Sequence, residues 1–347
     1  MNFNLDKITR ESVKNLKPYS SARDEYVSDG SEMVFLDANE NPYESGVNRY
    51  PDPYQRSVKN VLADIKGAPA DHLLLGNGSD EVLDLLFRAF CEPGQDYIIT
   101  LPPTYGMYQV LAGINNVGVT EITLNADFQP QVSKILETQS PQSKLLFLCS
   151  PNNPTSNSFD TKSMHDLLSG FKGIVVVDEA YIDFSNQESC VSQLYKYPNL
   201  VVTQTLSKAY GMAGIRLGLC WASLEIIAIL NKIKPPYNVN QLTQLKALER
   251  LQDRAGVAQE IQNILSERNV MEQALGAIPF VTEVFPSDAN FVLARVDDAN
   301  RRYDQLLAAG IVIRNRTTQA LCENTLRFTV GTPEENRKLI TALKSIA

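Results

Sequence analysis

The sequence predicts an α/β protein, with a large domain built on a mainly parallel sheet flanked by helices and a smaller α+β domain beside it. Three observations carry this. Between about residues 73 and 221, short apolar runs alternate with segments of helical period, the pattern of parallel strands joined by helical crossovers. The composition then changes at Pro235 and Pro236, residues that interrupt helices. Finally, 347 residues, 44% of them apolar, are too many for one small domain. The expected division is an N-terminal arm that also contributes to the small domain (1–45), the large domain (46–236) and the small C-terminal domain (237–347).

Taken in order, Leu73 to Leu75 and Tyr97 to Thr100 read as short strands. Leu145 to Cys149, Ile174 to Val177 and Leu200 to Thr203 are stronger candidates, rich in Val, Ile and Leu and free of charge. Such runs suit parallel strands buried on both faces. Thr161 to Phe171 has helical spacing, and residues 186–198 read as loop. From about Asn240 to Leu275, apolar residues recur at three- and four-residue steps, predicting one long helix. The tail adds strand-like runs at Phe291 to Ala294, Ile311 to Ile313 and Leu326 to Val330, mixed with helical stretches.

Charge and composition exclude several functions. A net charge of −8 and a pI near 5.0 argue against a surface that holds nucleic acid or an acidic membrane. An anionic substrate would need a local basic cluster. The first residues, MNFNLDKITRESVKNLKPYSSARDEY, lack the apolar stretch of a signal peptide, and no uncharged apolar run approaches the roughly 18 residues of a membrane span. The expectation is a soluble protein. Cys91, Cys149, Cys190, Cys220 and Cys322 are odd in number and far apart, which suits reduced thiols in a cytoplasm. With only His72 and His165, neither a zinc site nor a His-dependent hydrolase triad is easily assembled.

The polar residues with chemical potential follow the apolar strands directly. In open α/β sheets, ligands bind at the carboxyl ends of strands. Gly76-Asn77-Gly78-Ser79-Asp80-Glu81 opens an amphipathic segment, Val82 to Phe90. It reads equally as a phosphate-binding helix start or as a helix that caps itself. Cys149-Ser150-Pro151-Asn152-Asn153-Pro154-Thr155 reads as an Asn-Pro turn, or as one that aims Asn153 into the crevice. Asp178 follows four apolar residues, and a buried carboxylate asks for a positive partner. The third strand runs into Thr205-Leu206-Ser207-Lys208, with Arg216 close behind: two hydroxyls, an amine and a guanidinium, a compact anion site with one amine to spare.

These residues, in this order, resemble the fold type I pyridoxal phosphate aminotransferases of the class II subfamily, in particular the branch acting on L-histidinol phosphate. The likeness covers nearly the whole chain and is carried by LKPYSSAR, LDANENP, NRYPDPY, GNGSDE, PPTYGMY, SPNNPTS, VVDEAY, TLSKAYGMAGIRLG, PSDANFVL and TLRFTVGT. One departure is Ser156, where family members commonly carry Gly.

The resemblance implies a role for each position. Lys208 would carry pyridoxal 5'-phosphate as a Schiff base and shuttle the substrate Cα proton. Asp178 would pair with the cofactor's ring nitrogen, Asn153 and Tyr181 would hydrogen-bond its phenolic oxygen, and Tyr105 would stack on its ring. Gly78, Ser79, Thr205, Ser207 and Arg216 would hold its phosphate. Tyr50 would reach that phosphate from a neighbouring subunit, implying a homodimer with shared sites. Arg327 and Arg314 would clamp substrate carboxylate or phosphate, and Tyr19 would close over the substrate.

The implied reaction is a ping-pong transfer in histidine biosynthesis, from L-histidinol phosphate and 2-oxoglutarate to imidazole acetol phosphate and L-glutamate. The alternatives within the same cofactor chemistry are a threonine-phosphate decarboxylase and an aromatic amino acid aminotransferase. A non-catalytic ligand sensor would need a DNA-binding segment, for which the chain has neither spare length nor a basic stretch.

Overall fold

The computed structural model describes residues 3–18 and 34–347. Its centre is a seven-stranded sheet of order β1-β7-β6-β5-β4-β2-β3. The strands are β1 (Leu73–Asn77), β2 (Tyr97–Thr100), β3 (Gly118–Glu121), β4 (Ser143–Cys149), β5 (Ile174–Asp178), β6 (Leu200–Thr205) and β7 (Leu217–Ala222). Strands β2 to β6 pair in parallel, whereas β7 runs antiparallel to both β1 and β6.

The apolar runs become strands because both faces of this sheet are buried. Successive residues of a strand point to opposite faces. Leu145, Phe147, Ile174 and Val176 therefore join one core, with Val82, Leu86 and Phe90 of the helix Ser79–Phe90. Leu146, Leu148, Val175, Val177, Leu200 and Val202 enter the other, with Leu167 and Leu168 of the helix Thr161–Gly170. Each such side chain contributes about 1.5–3 kcal/mol by leaving water, so the unbroken runs are what two-sided burial demands.

Two strands escape a reading by apolar runs. β3 carries only one large apolar residue and lies at the sheet's edge, partly exposed. β7 is fully buried, but its sequence follows so closely on Arg216 that it reads as part of a ligand-binding motif.

The second sheet has four antiparallel strands in the order β10-β11-β9-β8. They are β8 (Val281–Val284), β9 (Phe291–Val296), β10 (Arg314–Asn315) and β11 (Thr325–Thr329). Phe328 and Val292 pack against Met271 and Leu275 of the helix Arg254–Gly276 and Leu339 and Leu343 of the helix Pro333–Ser345.

Two expectations fail here. The single long helix is two, Gln241–Gln252 and Arg254–Gly276, divided at Asp253. The Asp253 carboxylate accepts from the Gly256 N–H at 3.0 Å, capping the second helix. Apolar periodicity continues across such a junction and hides it. Ile311 to Ile313 is not a strand: pairing begins only at Arg314, which lies opposite Arg327. Among the described residues, no helix is long and apolar enough to cross a membrane.

Candidate active site

The parallel register aligns the carboxyl ends of three strands, with Cys149 opposite Asp178 and Asp178 opposite Thr203. A cavity of about 140 Å³ opens there. Asp178 and Glu179 are adjacent, yet the strand pleat sends them apart. Glu179 is fully satisfied away from the cavity, by Ser189 Oγ at 2.5 Å, Cys190 N at 2.6 Å and Gln204 Nε2 at 2.8 Å. Asp178 lines the cavity, 3% exposed, and accepts from Tyr108 Oη at 2.7 Å and Ala180 N at 3.3 Å. Burial pushes its carboxyl above the usual carboxylate range, with the Tyr108 hydrogen bond the main opposing influence. Among the described residues no basic side chain forms an ion pair with it.

Lys208 projects into the same cavity, its amine 5.7 Å from the centre of the Tyr181 ring. Its side chain is open to solvent on the cavity side, but the protein packed around the amine lowers its pKa. Burial is the largest cause, followed by the Arg327 charge, with Asp178 opposing. An amine so placed is more often neutral and nucleophilic than a surface lysine. Tyr105 forms another wall, its Oη donating to Asp80 Oδ1 at 3.2 Å. Burial raises the phenol pKa of both Tyr105 and Tyr181, so each stays protonated as a hydrogen-bond donor.

The rest of the cavity suits an anion. Ser79 begins a twelve-residue helix, whose first N–H groups are unsatisfied donors at its positive end. Gly78 precedes it at φ +78°, ψ 163°, a conformation open only to glycine, and its N–H donates to Arg216 O at 2.7 Å. A Cβ on Gly78 would lie 2.7 Å from Arg216 Nη2, and one on Gly218 would lie 2.3 Å from Ser79 N. The backbone is thus held closely around the helix start. Thr205 Oγ1 donates to Ser207 Oγ at 3.0 Å, and Arg216 Nη2 lies 3.6 Å from Asp80 Oδ2.

A third group enters from the small sheet. Arg327 donates through Nη1 to Asn153 Oδ1, tying β11 to the loop after β4. Its guanidinium also lies 4.9 Å from the Phe291 ring centre, and Phe291 packs edge-on to Tyr181 at 5.1 Å. Burial lowers the Arg327 pKa to about 10, with Arg316 the next cause.

Nine of the expected residues therefore meet in one cavity: Ser79, Tyr105, Asn153, Asp178, Tyr181, Thr205, Ser207, Lys208 and Arg216. Gly78 shapes its floor, and Arg327 reaches it through Asn153. Arg314 is exposed opposite Arg327. Tyr50 is not in this cavity. It stacks on Tyr237, with ring centres 4.4 Å apart, and lines a separate cavity of about 460 Å³ with Asn240 and Leu242. Tyr19 lies outside the described residues.

Two contributors had no role assigned from the sequence: Tyr108 and Asp80. Tyr108 and Asp80 sit inside motifs that were read for their neighbours, PPTYGMY and GNGSDE. Ser156, the departure from the family pattern, has φ +65°, which explains the preference for glycine there. Its Oγ donates to Pro286 O at 3.2 Å, a bond glycine could not make.

The donor set fits pyridoxal 5'-phosphate: a buried carboxylate without a cation, a lysine of lowered pKa, two protonated phenols, and a backbone cradle whose glycines leave no room for a Cβ.

A family model described as aminotransferase class I and II matches residues 29–343. A histidinol-phosphate aminotransferase of Flavobacterium johnsoniae is 63% identical over 343 residues, 99% of this chain and 98% of that protein. Among solved structures, the histidinol-phosphate aminotransferase of Clostridium acetobutylicum superposes with a TM-score of 0.80 at 26% identity, covering 87% of this chain and 91% of its own. That of Sinorhizobium meliloti, solved in complex with pyridoxal-5'-phosphate, also gives 0.80, at 21% identity, over 86% of this chain and 82% of its own. The latter likeness is one of fold alone.

Proposed function

This chain belongs to the class I and II aminotransferases, and from that membership we propose that it moves an amino group between L-histidinol phosphate and 2-oxoglutarate on bound pyridoxal 5'-phosphate, a step of histidine biosynthesis. The observation that carries the reading is the meeting of Lys208 and Asp178 with an anion cradle in one cavity of a chain 63% identical, end to end, to a histidinol-phosphate aminotransferase.

When bound, the cofactor supplies an electron-accepting ring that lets the bond from substrate Cα to hydrogen break. The protein's groups do the rest. Gly78, Ser79, Thr205, Ser207 and Arg216 hold the phosphate through helix-start N–H groups, hydroxyls and a guanidinium. Asp178, desolvated and steadied by Tyr108, holds a proton on the ring nitrogen, which supplies the cation its burial asks for. Tyr105 covers one ring face, while Asn153 and Tyr181 donate to the phenolic oxygen. Lys208 anchors the cofactor and, once released, takes the proton from substrate Cα and returns it on the other side of the transfer. Arg327 binds the substrate's anionic group, with Arg314 beside it and Tyr19 closing from the arm.

The same reading makes the protein a cytoplasmic homodimer in which Tyr50 completes the partner's phosphate site. Its exposure on this chain, 49%, together with that of Val47 and Leu242, which line the same cavity, supports a face covered by a second copy. Residues 46–236 would form the cofactor-binding domain, 237–347 the small domain, and 1–45 the arm.

The test mixes cofactor-loaded protein with L-histidinol phosphate alone and follows the cofactor's visible absorbance, then adds 2-oxoglutarate and assays glutamate and carbon dioxide. Bleaching by the first and recovery with glutamate on the second is the expected result. Carbon dioxide from threonine phosphate with no response to histidinol phosphate would replace the substrate assignment. Faster turnover of phenylalanine or tyrosine would point to an aromatic substrate.

A further inference from the structure

Asn152 and Asn153 stand side by side in the turn after β4, and of the two only Asn153 lines the cavity. Asn152 is fully buried. Its backbone closes its own turn: the N–H donates to Asn157 O at 2.8 Å, and the carbonyl accepts from the Ser156 N–H at 2.8 Å. Its side chain leaves that turn and reaches the loop after β2, which carries Tyr105. Nδ2 donates to Pro103 O at 2.8 Å and to Thr155 Oγ1 at 2.7 Å, while Oδ1 accepts from Thr104 Oγ1 at 3.2 Å. The Pro103 carbonyl can only accept, so it fixes which way round the amide sits.

The loop has few other ties. Among the described residues, the bond from Asn152 to Pro103 O is the one hydrogen bond made by the backbone of residues 103–105, and the Thr104 hydroxyl meets the same amide. Tyr105 itself is steadied further out, where its Oη donates to Asp80 Oδ1 at 3.2 Å and its ring meets Tyr108 edge-on. A buried amide whose donors and acceptor are all engaged specifies a single geometry. Here that geometry spans two segments 49 residues apart, each supplying one wall of the cavity.

We propose that Asn152 is a positioning residue for the cofactor ring: its amide sets the spacing between Tyr105 and Asn153, so that the ring face and the phenolic oxygen are met together. This rests on the reading of Tyr105 and Asn153 as the residues that contact the ring.

Asn152→Asp keeps the size of the side chain but turns an oxygen, in place of the amide donor, towards Pro103 O. Thr104→Val removes only the hydroxyl at the other end of the link. The full chain, stripped of cofactor, is titrated with pyridoxal 5'-phosphate and, separately, with inorganic phosphate, which reads the anion cradle alone. In Asn152→Asp the cofactor dissociation constant should rise about 3- to 10-fold, the worth of one aromatic stack, while that for inorganic phosphate changes less than about twofold. The visible circular dichroism of the bound cofactor, which reports how the ring is seated, should weaken as it does in Tyr105→Ala. In a background that carries both Tyr105→Ala and Asn153→Ala, Asn152→Asp should add nothing. Thr104→Val should act in the same direction by a smaller factor, and it decides the question if Asn152→Asp does not fold. Equal weakening for both ligands is what a loosened fold or the new negative charge would give by itself, and it overturns the proposal. So does the absence of weakening in either variant, or a loss that persists undiminished in the double background. If Tyr105→Ala and Asn153→Ala leave cofactor affinity and dichroism unchanged, the ring-contact reading itself fails and takes the proposal with it.

Discussion

Tyr108→Phe removes one oxygen and little else. The ring is fully buried, stacked on Phe147 at 4.5 Å and edge-on to Tyr105 at 5.6 Å, and phenylalanine keeps those contacts. What disappears is the 2.7 Å hydrogen bond to Asp178 Oδ2, leaving the backbone N–H of Ala180 at 3.3 Å on the other carboxylate oxygen. A hydrogen bond to a charged group contributes about 1.5–3 kcal/mol, and one between neutral groups about 0.5–1.5 kcal/mol. The folded-state pKa of Asp178 already lies above its ordinary value. Its ionisation therefore opposes folding as pH rises from the ordinary carboxylate range through that raised value, and losing Tyr108 Oη raises it further. At pH 8, where the unfolded chain's carboxylate is fully ionised, cofactor-free Tyr108→Phe should lose about 1.5–3 kcal/mol of stability, and the same change in an Asp178→Asn background only about 0.5–1.5 kcal/mol. Urea denaturation followed by Trp221 fluorescence reads both. That residue is the chain's single tryptophan, and it lies fully buried in β7. Equal losses in the two backgrounds would mean that Tyr108 stabilises by packing alone, and the account of Asp178 as a buried charge steadied by Tyr108 would fail.

Lys208→Ala should abolish stable cofactor attachment, read as the absence of a borohydride-fixed cofactor mass on the protein; retention of that mass would place the anchor elsewhere. Gly218→Ala would drive a Cβ to 2.3 Å from Ser79 N and 2.4 Å from the Gly78 carbonyl carbon, backbone on both counts, so cofactor affinity should fall. Gly214→Ala, with nothing within 4 Å, should leave it unchanged in the same equilibrium titration. Lys59 is 8% exposed, and burial followed by the Lys234 charge lowers its pKa from 10.5 to about 8. The folded state disfavours the charged amine, so its penalty is complete below about pH 8 and vanishes as pH rises towards 10.5. Lys59→Met should therefore stabilise the protein at pH 7 by up to about 3 kcal/mol, a gain that shrinks in urea titrations at higher pH.

Much of the seven-stranded sheet was legible because its chemistry is local. A strand buried on both faces is apolar along most of its length, so β4, β5 and the first half of β6 announce themselves. A polar residue that follows such a run directly must emerge at the strand's carboxyl end, which is why Asn153, Asp178 and Lys208 could be assigned to one site through their motifs. The strand order, and the placing of β7 between β1 and β6, depend on hydrogen bonds between segments distant in the chain, the farthest joining β1 to β7, as in Leu75 opposite Leu219. No local pattern encodes such a partner.

Amino-acid order alone determined the element types, the positions where charge and hydroxyls meet apolar strands, and, through the motifs, the family. Tertiary structure decided what those side chains experience. Two adjacent carboxylates, Asp178 and Glu179, differ in that one reaches the cavity and the other is consumed by Ser189, Cys190 and Gln204, because the pleat sends neighbours to opposite faces. Helical periodicity ran unbroken through Asp253, and only its cap to Gly256 revealed two helices. Tyr108 gained meaning from a partner 70 residues distant, Asp178. Burial and charge act through space, and the chain's order does not say which distant residues will share a dielectric environment.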